Sequence, residues 1–316
     1  MTNTAMPPVL IISYSRPDGV RNLIQACINN MVSDLYVAID GPKIGSDGRL
    51  QNEILQVINS FSDVKDLNIR VLLREKNLGV GAGVITAIDW FFSQEKFGHI
   101  LEDDLKVDSG YFNFSREALT KFTNDKNVFV ISGTEITGNN TISNSAHWCN
   151  YPMIWGWSTW ADRWLIMRQG LLERKKTRLP LLSSARHNFW AVGANRVLDG
   201  KVDTWDTPLA AEFISNKWLC LIPPRNLVSN FGNDANASHT FDGSHGLNLP
   251  IYEFICSVDF RTNFTETNIK NYNKLLEKEV FKIQRKHALL AIASRLKDRD
   301  NHKRVIPPLI ERLDSL

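Results

Sequence analysis

The chain has 316 residues, 43% hydrophobic and 22% charged. That is the make-up of an ordinary globular protein with a sizeable core, and it excludes collagen-like, disordered and coiled-coil chains. A net charge of +3 is too small to argue for a nucleic-acid partner.

The first hundred residues alternate strand and helix. Pro8–Tyr14 is a run of β-formers and predicts a strand, closed by the turn residues Ser15–Gly19. Val20, Leu23, Ile24, Cys27 and Ile28 recur at helical spacing and predict a helix over Val20–Asn30. Asp34–Asp40 predicts a second strand, Leu50–Phe61 a second helix and Asn68–Leu73 a third strand. A glycine-rich turn leads into a helix over Val84–Phe92, and His99–Leu101 leads into Glu102-Asp103-Asp104. Val128–Ser132 predicts a further strand. The stretch Cys149–Trp164 is rich in aromatics. Loops and short helices follow it, then a helix over Leu209–Asn216 and a strand over Lys217–Ile222. Ile269–Lys297 reads as one long helix with many Lys and Arg.

This order predicts an α/β fold with a mostly parallel sheet flanked by helices. A boundary near residue 250 separates a main domain, 1–250, from a basic helical C-terminal extension, 251–316. Residues Thr265–Leu316 carry a net +5. Their basic face predicts either a helix packed on the main domain or a peripheral contact with an anionic membrane. Cys27, Cys149, Cys220 and Cys256 form no CxxC pair, which argues against zinc and for reduced thiols in a cytoplasmic protein. The N-terminus, MTNTAMPP, has no charged region followed by an apolar one, so it is not read as a signal peptide.

In a parallel sheet, ligands dock at the carboxyl ends of strands, so polar residues just after strands carry the functional information. Glu102-Asp103-Asp104 is the sharpest such signal. Three adjacent carboxylates repel one another, and a hard divalent cation is the natural compensation; the plain alternative is a solvated acidic turn. Asp40 ends a strand and suits a base N–H or a ribose hydroxyl, or simply an Asp-Gly turn. Arg16 suits a phosphate or base, or is a surface arginine. The run Asn77–Gly83, with Gly79 at its first glycine, can aim helix N–H groups at an anion but matches no dinucleotide fingerprint. Asp206 follows Trp205 at a helix start, as a helix cap or as a general base in an aromatic-walled pocket. His239 lies in a polar loop, either exposed or as a metal ligand from the far side.

Together these residues resemble the nucleotide-sugar glycosyltransferases of GT-A (Rossmann-like) fold. The similarity is to the N-acetylglucosaminyltransferase that starts complex N-glycan branching and to bacterial relatives from polysaccharide loci. The carriers are PVLIISYSRP, Asp40-Gly41, NLGVGAG, ILEDDLKVDSGYF, WGWSTWADRW and TWDTP, over about residues 7 to 240. The resemblance implies a mixed, mostly parallel sheet and an inverting transfer of a sugar from a nucleotide diphosphate, with UDP as the nucleotide. The acceptor would be a hydroxyl of a glycan or lipid-linked saccharide. It implies Mn²⁺ (or Mg²⁺) held by Asp104, with Asp103 and Glu102 supporting ribose, sugar and metal-bound water. Asp40 and Arg16 would recognise the nucleoside, Asp206 would be the base, and Trp155-Gly156-Trp157 would wall the sugar or acceptor pocket. His239 has no counterpart, and its metal role is inferred from position alone. Two other readings stand beside this one. A nucleotidyltransferase would carry a glycine-rich basic loop after the first strand, where this chain has Ser13–Pro17. A non-catalytic sugar-binding module would have lost Asp104 or Asp206, and both are present.

Overall fold

The structure is a computed structural model that describes residues 5–45, 48–138, 144–232, 249–252, 258–261 and 264–289. Chain order runs β1 (Val9–Ser13), α1 (Pro17–Asn29), β2 (Asp34–Ile39), α2 (Arg49–Asn59), β3 (Asn68–Leu73) and α3 (Gly79–Phe92). It continues with β4 (Phe97–Glu102), β5 (Leu105–Val107), α4 (Ser109–Lys121), β6 (Val128–Ser132), β7 (His147–Cys149) and β8 (Trp157–Trp160). Then come α5 (Ala161–Arg174), α6 (Ala185–Leu198), α7 (Asp206–Asn216), β9 (Leu219–Ile222), β10 (Val228–Asn230) and α8 (Glu266–Leu275).

Eight strands form one sheet in the order β3-β2-β1-β4-β8-β6-β9-β7. The first four are parallel, and β6 pairs parallel with β9. The antiparallel strands are β8, between β4 and β6, and β7 at the far edge. This is the expected α/β fold with a mixed, mostly parallel sheet. The continuous apolar runs are explained by burial on both faces. Val9 and Ile11 of β1 pack with α1, α2 and α4 in one core. Leu10, between them, joins α3, α5 and α7 in the other, as the two-residue period of a strand requires.

Several elements differ from the sequence reading for physical reasons. Helix α1 begins at Pro17, whose fixed φ suits a first helical turn. Helix α3 begins at Gly79, so the glycine-rich run is helix rather than a turn before it. The region expected as loops and short helices holds α5 and α6, each of 14 residues. The long helix expected over Ile269–Lys297 does not form. Helix α8 passes into a π turn, Leu276–Val280, and Lys282 takes a left-handed φ of 53° that breaks it. Residues 290–297 lie outside the described residues, as does most of the basic tail. Tyr272 and Leu276 enter the second core, and Asn150 and Asn273 exchange hydrogen bonds at 2.9 and 2.8 Å. Among the described residues no helix is long and apolar enough to cross a membrane.

Cys27, Cys149 and Cys220 are buried free thiols. His99 of β4 is fully buried, with Nδ1 2.8 Å from Ser158 Oγ. Burial pushes its pKa down to about 3.

Candidate active site

The carboxyl ends of β1, β2 and β4 form one edge of the sheet. The turn Asp103-Asp104 links β4 to β5 there. It is braced by β10, whose Asn230 pairs with Leu105 in an antiparallel ribbon.

The three acidic residues of this turn have different fates. Asp103 is buried and committed to the fold. Its Oδ2 accepts from Ser13 Oγ at 2.7 Å and from the Tyr14 N–H at 2.9 Å, and Arg16 Nη1 stands 3.5 Å from Oδ1. The role expected of Asp103, support of the ligand and metal-bound water, would fall to Oδ1, because Oδ2 is taken by Ser13 and Tyr14. The Asp103 oxygens tie β4 to the end of β1 and hold Arg16. Glu102 has no such donors among the described residues. Burial, then the charges of Asp104, Asp103 and Asp206, push its carboxyl up to about 8, with Arg16 opposing. Asp206, a hundred residues away in sequence, is therefore brought to the acidic turn. Asp104 lies beneath the start of the loop after β10, where the Phe231 N–H donates to its carbonyl at 2.9 Å.

Asp206 opens α7. Its Oδ1 accepts from Thr204 Oγ1 and the Thr207 N–H, both at 2.5 Å, and from Thr207 Oγ1 at 3.1 Å. Its Oδ2 carries no hydrogen bond among the described residues. Trp205 beside it is 3% exposed and packs against Trp157 and Trp164, with ring centroids 6.0 and 6.3 Å away. The aromatic stretch is thus mainly core. Trp157, on β8, is 1% exposed and cannot wall a pocket. Trp155 is half-buried against both cores.

The glycine-rich run receives an anion, and it is the chain's own. Asp203 Oδ1 accepts from the Gly81 N–H at 3.1 Å. Gly79, at φ 76°, has Asp203 Oδ2 only 2.3 Å from where a Cβ would stand, so a side chain there would be strained and would displace the Asp203 carboxylate. From the other side Asp40 accepts from the Leu78 N–H at 3.0 and 3.1 Å and from the Gly41 N–H at 3.0 Å. The sequence reading missed Asp203 here, and also the Thr204 and Thr207 hydroxyls; no spacing pattern marks such contacts. His239 lies outside the described residues.

Among the described residues, no three His, Cys, Asp or Glu side chains form a ready-made metal cage. A Mg²⁺-like cation, however, is usually held by one or two carboxylates plus phosphate oxygens and water. Glu102 and Asp104 supply such hard oxygens, and the raised Glu102 carboxyl records negative charge that a cation would offset. The residues fit that class of ion.

No family model matches the sequence, and no curated protein matches it. Among solved structures, the chain is similar to HddC from Yersinia pseudotuberculosis, with TM-score 0.29 and 9% identity over 50% of this chain and 78% of that one. It is also similar to the WbbM bifunctional glycosyltransferase, with TM-score 0.35 and 11% identity over 56% and 36%. A third is the inositol-1-phosphate CTP transferase from T. maritima, with TM-score 0.32 and 9% identity over 52% and 74%. At these values none of the three bears on the chemistry of this chain.

Proposed function

We propose that the chain is a metal-dependent, inverting glycosyltransferase of GT-A type that uses a UDP-sugar and a hydroxyl of a glycan or lipid-linked saccharide. The observation that carries this reading is the meeting of Asp206 with Glu102 and Asp104 at the carboxyl edge of a mostly parallel sheet. Glu102 and Asp104 would hold Mn²⁺ or Mg²⁺, which when bound supplies Lewis-acid stabilisation of a leaving diphosphate. Thr204 and Thr207 fix Oδ1 of Asp206, which leaves Oδ2 to take the proton of the acceptor hydroxyl. The acceptor oxygen then bonds to the anomeric carbon as the bond to the diphosphate oxygen breaks, and attack opposite the leaving group inverts that centre. Arg16 and Asp40, on neighbouring strand ends, would meet the nucleoside. The resemblance to relatives from polysaccharide loci would place this transfer in polysaccharide synthesis.

The test is product analysis with a panel of UDP-sugars, Mn²⁺ and saccharide acceptors. Release of UDP is the expected result, abolished by EDTA and by Asp104→Ala. Release of pyrophosphate from UTP and a sugar phosphate would instead identify a nucleotidyltransferase. Full turnover in excess EDTA would overturn the metal.

A further inference from the structure

Phe231 is a large hydrophobic residue left 45% exposed, although it follows the buried strand β10. Its position is fixed. The Phe231 N–H donates to the Asp104 carbonyl at 2.9 Å, one step beyond the Asn230–Leu105 pair of the ribbon. The next residue, Gly232, donates its N–H to Asn230 Oδ1 at 2.7 Å. A Cβ on Gly232 would stand 2.3 Å from Asp104 Oδ2, so glycine lets the chain pass directly over that carboxylate. The phenyl ring thus springs from a backbone position that is hydrogen-bonded to the acidic turn. It meets no other ring among the described residues, so it adds nothing to either core.

A pyranose has an apolar C–H face and a rim of hydroxyls. An exposed ring beside oxygen acceptors matches both, the ring covering the C–H face and the carboxylates taking hydroxyl protons. We infer that Phe231 is a stacking platform for the pyranose of the sugar donor. This rests on the glycosyltransferase reading, because that reading places the donor's diphosphate beside Asp104 and the sugar one bond beyond it.

The experiment is calorimetric titration of wild type, Phe231→Ala, Phe231→Leu and Phe231→Tyr with UDP and with UDP-N-acetylglucosamine, UDP-glucose and UDP-galactose, all in Mn²⁺. UDP carries the nucleotide without the pyranose. Phe231→Ala should weaken the preferred UDP-sugar by about 5- to 50-fold, the worth of an aromatic contact with its buried area, and leave UDP unchanged. Phe231→Tyr should restore binding, and Phe231→Leu should not. Equal weakening of UDP and UDP-sugar would overturn the inference, as would no change in either. Unchanged donor binding with a raised acceptor KM would place the ring on the acceptor and overturn the donor assignment. Failure of the wild type to bind any of these nucleotides would instead overturn the glycosyltransferase reading, and the platform with it.

Discussion

Two groups of carboxylates share the carboxyl edge of the sheet, and they are treated in opposite ways. Asp40, Asp103 and Asp203 each accept a backbone N–H from a distant segment of the chain, from Leu78, Tyr14 and Gly81, whereas among the described residues Asp206 accepts only from Thr204 and Thr207 beside it. Glu102 lies near Asp104 and Asp206, and burial first, then the charges of Asp104, Asp103 and Asp206, push its carboxyl up to about 8. The first group ties strand ends to distant backbone, whereas the second gathers negative charge that a bound cation would offset. Asp103 and Asp104 show that neighbours in sequence can fall on either side of this line. Stored electrostatic strain of this kind is what functional sites retain at the expense of stability.

Substitutions should separate the two groups. The largest effect is expected at Asp206. Asp206→Asn keeps the hydrogen bonds to Oδ1 but removes the base, and turnover should fall by roughly 10²–10⁴-fold with unfolding free energy nearly unchanged. Steady-state rates beside urea unfolding would check this, and wild-type turnover would move the base elsewhere. Asp103→Ala should do the reverse in kind. It orphans Ser13 Oγ and the Tyr14 N–H and should lower stability by about 1–3 kcal/mol. A stable Asp103→Ala protein would erase the distinction drawn above.

The third expectation concerns pH, and it must be subtracted before acid unfolding is ascribed to carboxylates. His99 is neutral when folded, with a pKa of about 3, and near 6.5 when unfolded. Its contribution is complete above pH 6.5 and is lost as pH falls toward 3, because the unfolded chain binds the proton first. At pH 5 the loss is about 2 kcal/mol, at 1.36 kcal/mol per unit. Urea unfolding at pH 7 and pH 5 should show that loss in wild type and a smaller one in His99→Asn. The smallest effect is expected at Glu102. Glu102→Gln in metal-free protein removes one repelling carboxylate and should raise stability by on the order of 1 kcal/mol while turnover falls. Lower stability would mean that Glu102 belongs with the first group.

The inner strands were legible because doubly buried strands leave continuous apolar runs, and Val128–Ser132, buried throughout, was read to the residue. The acidic turn was legible because three carboxylates at a strand end break an apolar run abruptly. What could not be read is which oxygen faces which donor. Asp103 and Asp104 are chemically alike in sequence, and only the placement of Ser13 and Arg16 tells them apart. The glycine run misled because glycine permits close approach to any anion, and Asp203 lies more than 120 residues downstream. The Trp-rich stretch misled because indole rings serve cores and pockets equally, and here Trp157, Trp164 and Trp205 pack on one another.

The β5–β10 ribbon joins residues 105–107 to residues 228–230. In a growing chain, β3, β2, β1 and β4 can pair once residue 102 is free, but β5 must wait for more than a hundred further residues. Closing so long a loop costs entropy that local contacts cannot offset early, so the ribbon belongs to a late stage of folding. The nascent protein therefore displays its acidic turn well before Asp206, or the strand that braces it, has been made. Assembly of the site should follow emergence of residues 228–230 rather than collapse of the first half of the chain.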